Sequence, residues 1–271
     1  MLSLIRFLKA WPKRMSSAWA LKRVLAKPFV AERLPSHASS WPQSLQDPTG
    51  YYLNCVRYFY QGPDTLLRQH RGYFKTHGRG FGEDAFHVMW DGLCRVLLPS
   101  SFLEIGVYRG QVISLVALLT RNLGHPCRVC GVSPFSSLGD SVSRYSTSVD
   151  YFADTVKNFH AFGLESPRLI RGKSGEPGVV QEFSSRPWDL IYIDGNHDEE
   201  AVAEDFTNCA KVLRPGGKIV LDDSARFTAY RPPPFATSGH PGPSRFASGL
   251  RERGFLEILC VGHNRVFEKS S

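Results

Sequence analysis

A short apolar strand, a turn containing two glycines and a helix follow one another at residues 101–119. Phe102 to Ile105 form the expected strand, Gly106 and Gly110 lie in the turn, and apolar residues then recur at helical spacing. This order is typical of the first unit of a nucleotide-binding α/β sheet, because a residue without a Cβ lets a ligand approach the backbone. Glu104, near the end of the strand, is placed to accept hydrogen bonds at the edge of such a ligand.

The alternation of strand and helix continues along the chain to residue 221. The further predicted strands are 127–132, 168–170, 188–194 and 218–221, and the helices include 84–97, 150–162 and 198–213. Alternation of this kind predicts a parallel sheet with helices on both faces, a doubly wound α/β fold. Residues 254–267 break the pattern and predict a β-hairpin that closes the sheet.

Polar residues stand at the carboxyl ends of the predicted strands. These residues are Ser133, Ser174, Asp194, Asp222 and Asp223. Ligands of such sheets bind beyond the carboxyl ends of the strands, so we expect these side chains to line one crevice. Carboxylates that share a crevice repel each other unless a cation, a hydrogen-bonded ligand or a shifted pKa relieves the repulsion. One strand-end Asp also serves as a helix cap, but the three together favour a binding site.

Three segments, in order and correctly spaced, resemble class I S-adenosylmethionine-dependent methyltransferases. They are Glu-Ile-Gly-Val-Tyr-Arg-Gly at 104–110, Asp-Leu-Ile-Tyr-Ile-Asp-Gly-Asn-His-Asp-Glu-Glu at 189–200 and Leu-Arg-Pro-Gly-Gly-Lys-Ile-Val-Leu-Asp-Asp at 213–223. The resemblance covers roughly residues 80–268 and is to the branch of macrocin-type sugar O-methyltransferases and catechol-type enzymes. It implies a Rossmann-like sheet of strand order 3-2-1-4-5-7-6 whose last strand is antiparallel.

The resemblance also implies a cofactor site for S-adenosylmethionine. With the strand-end residues included, the expected cofactor-binding residues are Glu104, Gly106, Tyr108, Gly110, Ser133, Ser174 and Asp194. Two positions depart from the commonest family pattern. Tyr108 stands where that pattern has a glycine, and Ser133 stands where an acid usually binds the ribose hydroxyls. Either Asp140 replaces that acid or Ser133 alone holds the ribose.

The same resemblance implies candidate catalytic residues and a candidate magnesium site. Asp194, Asp222 and Asp223 match the acids that hold magnesium in the metal-dependent members, where the ion lowers the pKa of the substrate hydroxyl. Asp194 would lie near the transferred methyl group, and His197 is the candidate base, which also serves in a metal-free mechanism. The expected activity is O-methylation of a small hydroxylated molecule, such as a sugar or a glycan precursor.

Two other classes of function compete with this one. The first is a non-catalytic cofactor-binding or scaffold protein with the same fold. The second is a nicotinamide-dependent oxidoreductase, which is less favoured because Tyr108 interrupts the G-x-G-x-x-G fingerprint.

The positive charge lies in the first 100 residues, which hold 14 Lys and Arg against 6 Asp and Glu, whereas the rest hold 19 of each. This balance argues against a nucleic-acid groove in the main domain. We divide the chain into a basic amphipathic arm (1–33), a linker and helical extension (34–79, with 34–49 as the linker) and the methyltransferase domain (80–271). Residues 1–27 are interpreted as a membrane-surface helix, a transit-like segment or an arm packed on the domain.

Six cysteines are predicted to be buried free thiols, which fits a cytoplasmic protein. The C-x-x-C of Cys127 and Cys130 lies along an apolar strand and lacks a second pair, so neither zinc nor redox chemistry is favoured. The proline-rich residues 224–246 are interpreted as a lid over the substrate, with Arg231 or His240 facing the pocket, or as a solvated loop. His87 is a candidate for the rim of the pocket.

Overall fold

The computed structural model describes residues 15–76 and 78–270, which fold around one seven-stranded sheet. The strands are β1 (Ser101–Ile105), β2 (Arg128–Ser133), β3 (Arg168–Arg171), β4 (Trp188–Ile193), β5 (Leu213–Leu221), β6 (Phe255–Val261) and β7 (Asn264–Lys269). Their order is β3-β2-β1-β4-β5-β7-β6. The first five strands are parallel, and β7 pairs antiparallel with both β5 and β6. The predicted order and the closing hairpin are confirmed.

Helices cover both faces of the sheet. They are α1 (15–25), α2 (Trp41–Gln46), α3 (Pro48–Gln61), α4 (Thr65–Thr76), α5 (Asp84–Leu97), α6 (Gln111–Asn122), α7 (Tyr151–Ala161), α8 (Pro177–Phe183), α9 (Glu199–Val212) and α10 (Pro241–Ser248). The three helices predicted at 84–97, 150–162 and 198–213 correspond to α5, α7 and α9. The short helices α8 and α10, each of which begins at a proline, were not predicted. Proline is favoured in a first turn because that position needs no backbone N–H.

Successive strand residues face opposite sides of the sheet, and this alternation builds two hydrophobic cores. Phe102 and Tyr192 point to a core shared with α3, α5 and α6. Leu103 and Ile191 point to the other core, which packs against α9. The central strands are therefore buried on both faces, as a doubly wound sheet requires.

The segment 34–49 is not a linker, contrary to the prediction from its Ser, Pro and His content. Trp41 is buried and its Nε1 donates a hydrogen bond to the Pro35 carbonyl at 2.8 Å. Ser44, on α2, accepts a hydrogen bond from the backbone N–H of Cys260 on β6 at 2.9 Å. The N-terminal helices thus cover the β6 side of the sheet and share its core.

Gly106 brings the ends of β1 and β4 together. Its φ is +97°, and a Cβ there would lie 1.9 Å from the carbonyl oxygen of Asp194. The backbone N–H of Asp194 in turn donates a hydrogen bond to the Ile105 carbonyl at 2.8 Å. Only glycine allows this approach, so the first glycine of the motif positions Asp194 at the strand ends.

All six cysteines are free. Five are buried as predicted, and Cys127 is half-buried. Within residues 15–76 and 78–270, no helix has both the length and the apolar character needed to cross a membrane. Residues 1–14 of the predicted basic arm (1–33) lie outside the described residues.

Candidate active site

A cavity of about 560 Å³ lies at the carboxyl ends of β1, β2 and β4. Five of the predicted cofactor-binding residues line it: Gly106, Tyr108, Ser133, Ser174 and Asp194. Ser133 ends β2, and Ser174 follows β3, so parallel strands bring together residues that are far apart in sequence. This is the position where ligands bind to doubly wound sheets.

Glu104 and Gly110 do not line this cavity. Glu104 is buried, and its carboxyl accepts a hydrogen bond from the backbone of Ile113 at the start of α6. Burial, together with the charge of Asp222, raises the pKa of Glu104 to about 8, so the carboxyl is largely neutral at pH 7. Gly110 caps α6 with a φ of +82°. Both residues shape the turn beside the cavity, and their contact with a cofactor remains a prediction.

Tyr108 belongs to an aromatic cluster at one side of the cavity. Its ring centroid lies 4.8 Å from that of Phe81, 5.5 Å from that of Tyr145 and 5.3 Å from that of Tyr151. Tyr145 and Tyr151 also line the cavity. The residue that departs from the glycine motif therefore contributes an apolar wall, which suits the flat face of a ligand ring.

Asp205 is a cavity residue that we did not predict. It lies on α9, is buried, and lines the cavity opposite the β1 turn. Burial raises its pKa to about 6, partly offset by a hydrogen bond with Ser174. The sequence pattern could have indicated this residue. Asp205 falls on the apolar face of α9 with Val202, Phe206 and Cys209, where an acid is unexpected.

Two carboxyls, Asp194 and Asp222, meet at the ends of β4 and β5. Burial and then the charges of Asp222 and Asp223 raise the pKa of Asp194 well above its usual value. Burial also raises the pKa of Asp222, although His263 opposes this effect. The hydroxyl of Tyr192 donates a hydrogen bond to Asp194 Oδ2 at 3.1 Å. The pair therefore holds a proton to higher pH than a solvated carboxyl does.

Asp223 is held between two imidazoles. Nε2 of His197 lies 3.0 Å from its Oδ2, and Nδ1 of His263 lies 3.0 Å from its Oδ1. Burial alone would raise the pKa of Asp223, but the hydrogen bonds from these histidines lower it below its usual value. Its backbone is left-handed, with φ +51°, a conformation that costs a non-glycine residue free energy and often marks a functional position.

His197, the predicted base, lies between two carboxylates. Its Nδ1 is 2.6 Å from Asp140 Oδ2, and its Nε2 faces Asp223. Burial would lower the pKa of His197, but the hydrogen bonds to Asp223 and Asp140 raise it to about 9. The ring therefore carries two protons at neutral pH and cannot accept a third, so its use as a base requires that one of these contacts opens.

Asp140 does not stand free to bind a ribose. Its Oδ2 accepts from both the ring and the backbone N–H of His197, and its Oδ1 accepts from the backbone N–H groups of Val142 and Ser143. Asp140 also lines the cavity, but its carboxylate is committed to protein donors. The structure thus connects Asp140 with His197, a pairing 57 residues apart in sequence.

The predicted magnesium ligands divide into two groups. Asp222 and Asp223 lie with His263 so that one ligand atom of each is within 4.8 Å of the others. Asp194 is not part of that group. Oδ1 of Asp222 is buried and has no hydrogen-bond partner among the described residues, so this oxygen is available as a ligand for a cation. The oxygen donors fit Mg²⁺, and His263 adds a nitrogen that we did not predict.

The predicted lid, 224–246, has two residues that were expected to face the pocket, Arg231 or His240. Only His240 lies in this region. Nε2 of His240 lies 3.7 Å from Asp223 Oδ2, and its ring centroid is 4.6 Å from that of His197. Arg231 instead donates to the carbonyls of Thr228 and Tyr230, within its own segment. His87 lies in the core, bonded to His70 at 3.1 Å, so its predicted place at the rim of the pocket is wrong.

The region that contains this site is similar to known methyltransferases. Residues 103–224 match the family described as a methyltransferase domain. A demethylmacrocin O-methyltransferase from Streptomyces fradiae is 33% identical over 102 residues, which cover 36% of this chain and 24% of that protein. The chain therefore matches about a quarter of the length of this curated relative.

Solved structures of methyltransferases share the fold. The S-adenosylhomocysteine-bound methyltransferase PaMTH1 of Podospora anserina has a TM-score of 0.56 and 16% identity, covering 79% of this chain and 93% of that chain. An O-methyltransferase from Bacillus cereus in complex with S-adenosylhomocysteine has a TM-score of 0.55 and 16% identity, covering 84% and 100%. The chain has the class I S-adenosylmethionine-dependent methyltransferase fold. Residues 103–224 form a methyltransferase domain, which agrees with the resemblance found in the three sequence segments.

Proposed function

We propose that this protein transfers a methyl group from S-adenosylmethionine to an oxygen of a small hydroxylated molecule, such as a sugar or a glycan precursor. The cavity at the strand ends carries this proposal, because Gly106, Ser133 and Ser174 line it and Asp194 lies at its edge. The demethylmacrocin relative supports oxygen as the acceptor atom. The O-methyltransferase from Bacillus cereus has the same architecture.

The reaction is an in-line displacement at the methyl carbon. The acceptor oxygen forms the new O–C bond as the S–C bond breaks, and the electron pair of that bond stays on sulfur. The hydroxyl proton goes to Asp194 in molecules in which this carboxyl is ionised, and its raised pKa then makes the carboxylate a stronger base than a solvated one. Holding the two reactants in line supplies much of the rate enhancement.

His197 is the second proposed catalytic residue. As a cation between Asp140 and Asp223 it offsets the negative charge beside the acceptor. It becomes a base only after it gives a proton up, and we therefore assign the first proton transfer to Asp194. Mg²⁺, when bound by Asp222 and Asp223 beside Asp194, supplies positive charge that lowers the pKa of an acceptor hydroxyl.

The proposal is tested in two stages with the full chain. Calorimetry with S-adenosylmethionine and, separately, with NAD measures which cofactor binds. Transfer of isotope from labelled S-adenosylmethionine to a panel of sugars, with Mg²⁺ or with a chelator, then measures turnover and its metal requirement. Binding of NAD without S-adenosylmethionine would contradict the proposal in favour of the oxidoreductase. Tight S-adenosylmethionine binding without transfer to any hydroxylated compound would favour a non-catalytic binding protein.

We further infer a reducing, cytoplasmic compartment and no nucleic-acid partner. Six free cysteines support the first, and the even charge of residues 101–271 supports the second. Contact of residues 1–27 with a membrane surface remains a proposal that rests on their seven basic and no acidic residues.

A further inference from the structure

Three potential metal ligands meet outside the cofactor cavity. His197 follows β4, Asp223 follows β5, and His240 immediately precedes α10. Nε2 of His197 lies 3.0 Å and Nε2 of His240 lies 3.7 Å from the same oxygen, Asp223 Oδ2. One ligand atom from each residue lies within 4.8 Å of the other two. None of the three lines the cofactor cavity.

These separations suit a shared metal ion. Nitrogen and oxygen ligands at about 2.1 Å from a tetrahedral or octahedral ion lie roughly 3.0–3.4 Å apart. The distances at Asp223 bracket this range, so a small rotation of His240 completes the set. Two imidazoles and one carboxylate form a donor set that zinc and other borderline ions prefer over magnesium.

Asp140 and His263 orient the proposed ligands His197 and Asp223. In known metal sites, residues that are hydrogen-bonded to the ligands have the same role. Asp140 Oδ2 accepts from Nδ1 of His197 at 2.6 Å, which leaves Nε2 directed at Asp223. An ion bound there would replace the proton on Nε2, because ligating nitrogens are deprotonated. A carboxylate behind a ligating histidine is the usual outer partner in zinc sites. On the other side, His263 Nδ1 lies 3.0 Å from Asp223 Oδ1, so Oδ2 is the oxygen left for an ion.

The backbone also fixes the cluster. His240 donates its N–H to the carbonyl of Asp223 at 2.9 Å, and Ser244 Oγ donates to the same carbonyl at 3.1 Å. A Cβ at Gly239 would lie 2.3 Å from that carbonyl. These contacts hold the segment that carries His240 against the backbone of Asp223, whose φ is positive. The positions of the two ligands are therefore linked.

We propose that His197, Asp223 and His240 form a site for a divalent transition metal, with Zn²⁺ as the expected ion. It differs from the predicted magnesium site in its ligands and in its position, although both use Asp223. Its open positions face a second cavity of about 630 Å³ that His197 and His240 line with Glu199 and Arg245. Three protein ligands and an open fourth position are typical of zinc sites that bind water or a substrate oxygen.

The test uses Co²⁺, a spectroscopic substitute for zinc, titrated into the full metal-free chain and followed by its visible absorption. We expect intense tetrahedral bands that Zn²⁺ removes and that excess Mg²⁺ does not. His240→Gln should lower the Co²⁺ affinity at least tenfold. His240 is more than one third exposed, so this variant should keep its fold, which circular dichroism checks. His125→Gln is the matched control and should bind as the parent does, because His125 lies near Ser100 at the amino end of β1, away from the strand ends that carry the site.

Further variants locate the ion and keep the result independent of methyl transfer. Asp194→Asn should leave Co²⁺ affinity within about threefold, because Asp194 is not a ligand of this site. Loss of binding in His263→Gln but not in His240→Gln would move the ion to the Asp222–Asp223 group and overturn the proposal. Absence of Co²⁺ bands in the parent chain would overturn it too, whatever the outcome for S-adenosylmethionine.

Discussion

Glu104, a residue of the sequence motif, affects the stability of the folded chain through its protonation state. Its side chain is buried, and its Oε2 has no hydrogen-bond partner among the described residues. Its pKa is raised from 4.5 to about 8, so the folded state keeps a proton that the unfolded chain loses. Stability attributable to this group therefore falls as pH rises from about 4.5 to 8.

We predict that Glu104→Gln removes this pH dependence. In that window the folding equilibrium constant of the parent should fall by at most about tenfold per pH unit because of this group. Glutamine does not titrate, so the variant should show no such fall from position 104. Urea unfolding at several pH values from about 5 to 9 measures the difference between the two chains. Parallel curves for the parent and the variant would contradict the raised pKa.

Asp194 carries the proposed proton transfer, and its replacement separates binding from chemistry. Asp194→Asn keeps the shape and removes the base, so kcat should fall about 10²- to 10⁴-fold. The Kd for S-adenosylmethionine should change by less than about tenfold, because the turn at Gly106 is untouched. Single-turnover transfer and calorimetry measure the two effects. Undiminished turnover would assign the base elsewhere, with His197 the next candidate.

At the scale of elements, the turn after β1 determines whether the cofactor cavity forms. Gly106→Ala places a methyl group against the Asp194 carbonyl and into a left-handed backbone, so we expect S-adenosylmethionine affinity to fall more than tenfold and Tm to drop. Gly124→Ala is the matched control, because Gly124 also has a positive φ (+71°) but meets nothing within 4 Å. It should cost only the backbone strain, roughly 1 kcal/mol, and leave cofactor affinity unchanged.

Calorimetry and thermal unfolding of both alanine variants decide this prediction. If both lose affinity equally, the loss comes from backbone strain in general. Only a selective loss in Gly106→Ala supports the close approach of β1 and β4 as the cause.

Sequence periodicity predicted these elements where burial is strong and local. The strands β1 and β4 are apolar runs followed by glycine or acid, and the strand order followed from the resemblance. Segment 34–49 was misjudged, because its Ser and Pro content is that of a linker, whereas its burial depends on β6, some 200 residues away. Periodicity holds no information on such partners.

The site could be predicted only in part for the same reason. The carboxyl ends of parallel strands lie at one edge of the sheet. The sequence therefore predicted that Ser133, Ser174 and Asp194 line one crevice. The bond between Asp140 and His197 joins a loop to another loop, and no local pattern indicates it. The residues around Asp223 likewise come from the β6–β7 turn and from the segment before α10, which only the folded chain brings together.

At the scale of the whole molecule, buried histidines join the N-terminal helices to the sheet domain. Nδ1 of His70 on α4 lies 3.1 Å from Nε2 of His87 on α5, and Nε2 of His70 lies 3.1 Å from Ser114 Oγ on α6. Both histidines are buried. Because α3, α5 and α6 share one core, we expect the described parts of the chain to unfold in a single transition.

This network should make the whole molecule sensitive to acid. Burial lowers the pKa of His70 to about 3 and that of His87 well below 6.5, so the unfolded chain binds protons that the folded one does not. Stability should fall as pH drops from about 6.5 toward 3, by up to about tenfold in the folding equilibrium per histidine and pH unit. The double variant His70→Gln/His87→Gln should flatten this fall.

Comparison of the parent with the double variant between pH 6.5 and 4.5 separates these histidines from the other ionisable groups. His197 and His263 have raised pKa values, so their contribution is constant below 6.5. Carboxyls with lowered pKa values, such as Asp140, lose their contribution only below about pH 4. Raised carboxyls such as Glu104 act in the opposite direction and are the same in parent and variant. The difference between parent and variant in urea unfolding across this window therefore measures the buried pair, and an equal acid sensitivity of the two chains would show that the histidines are protonated in the folded state.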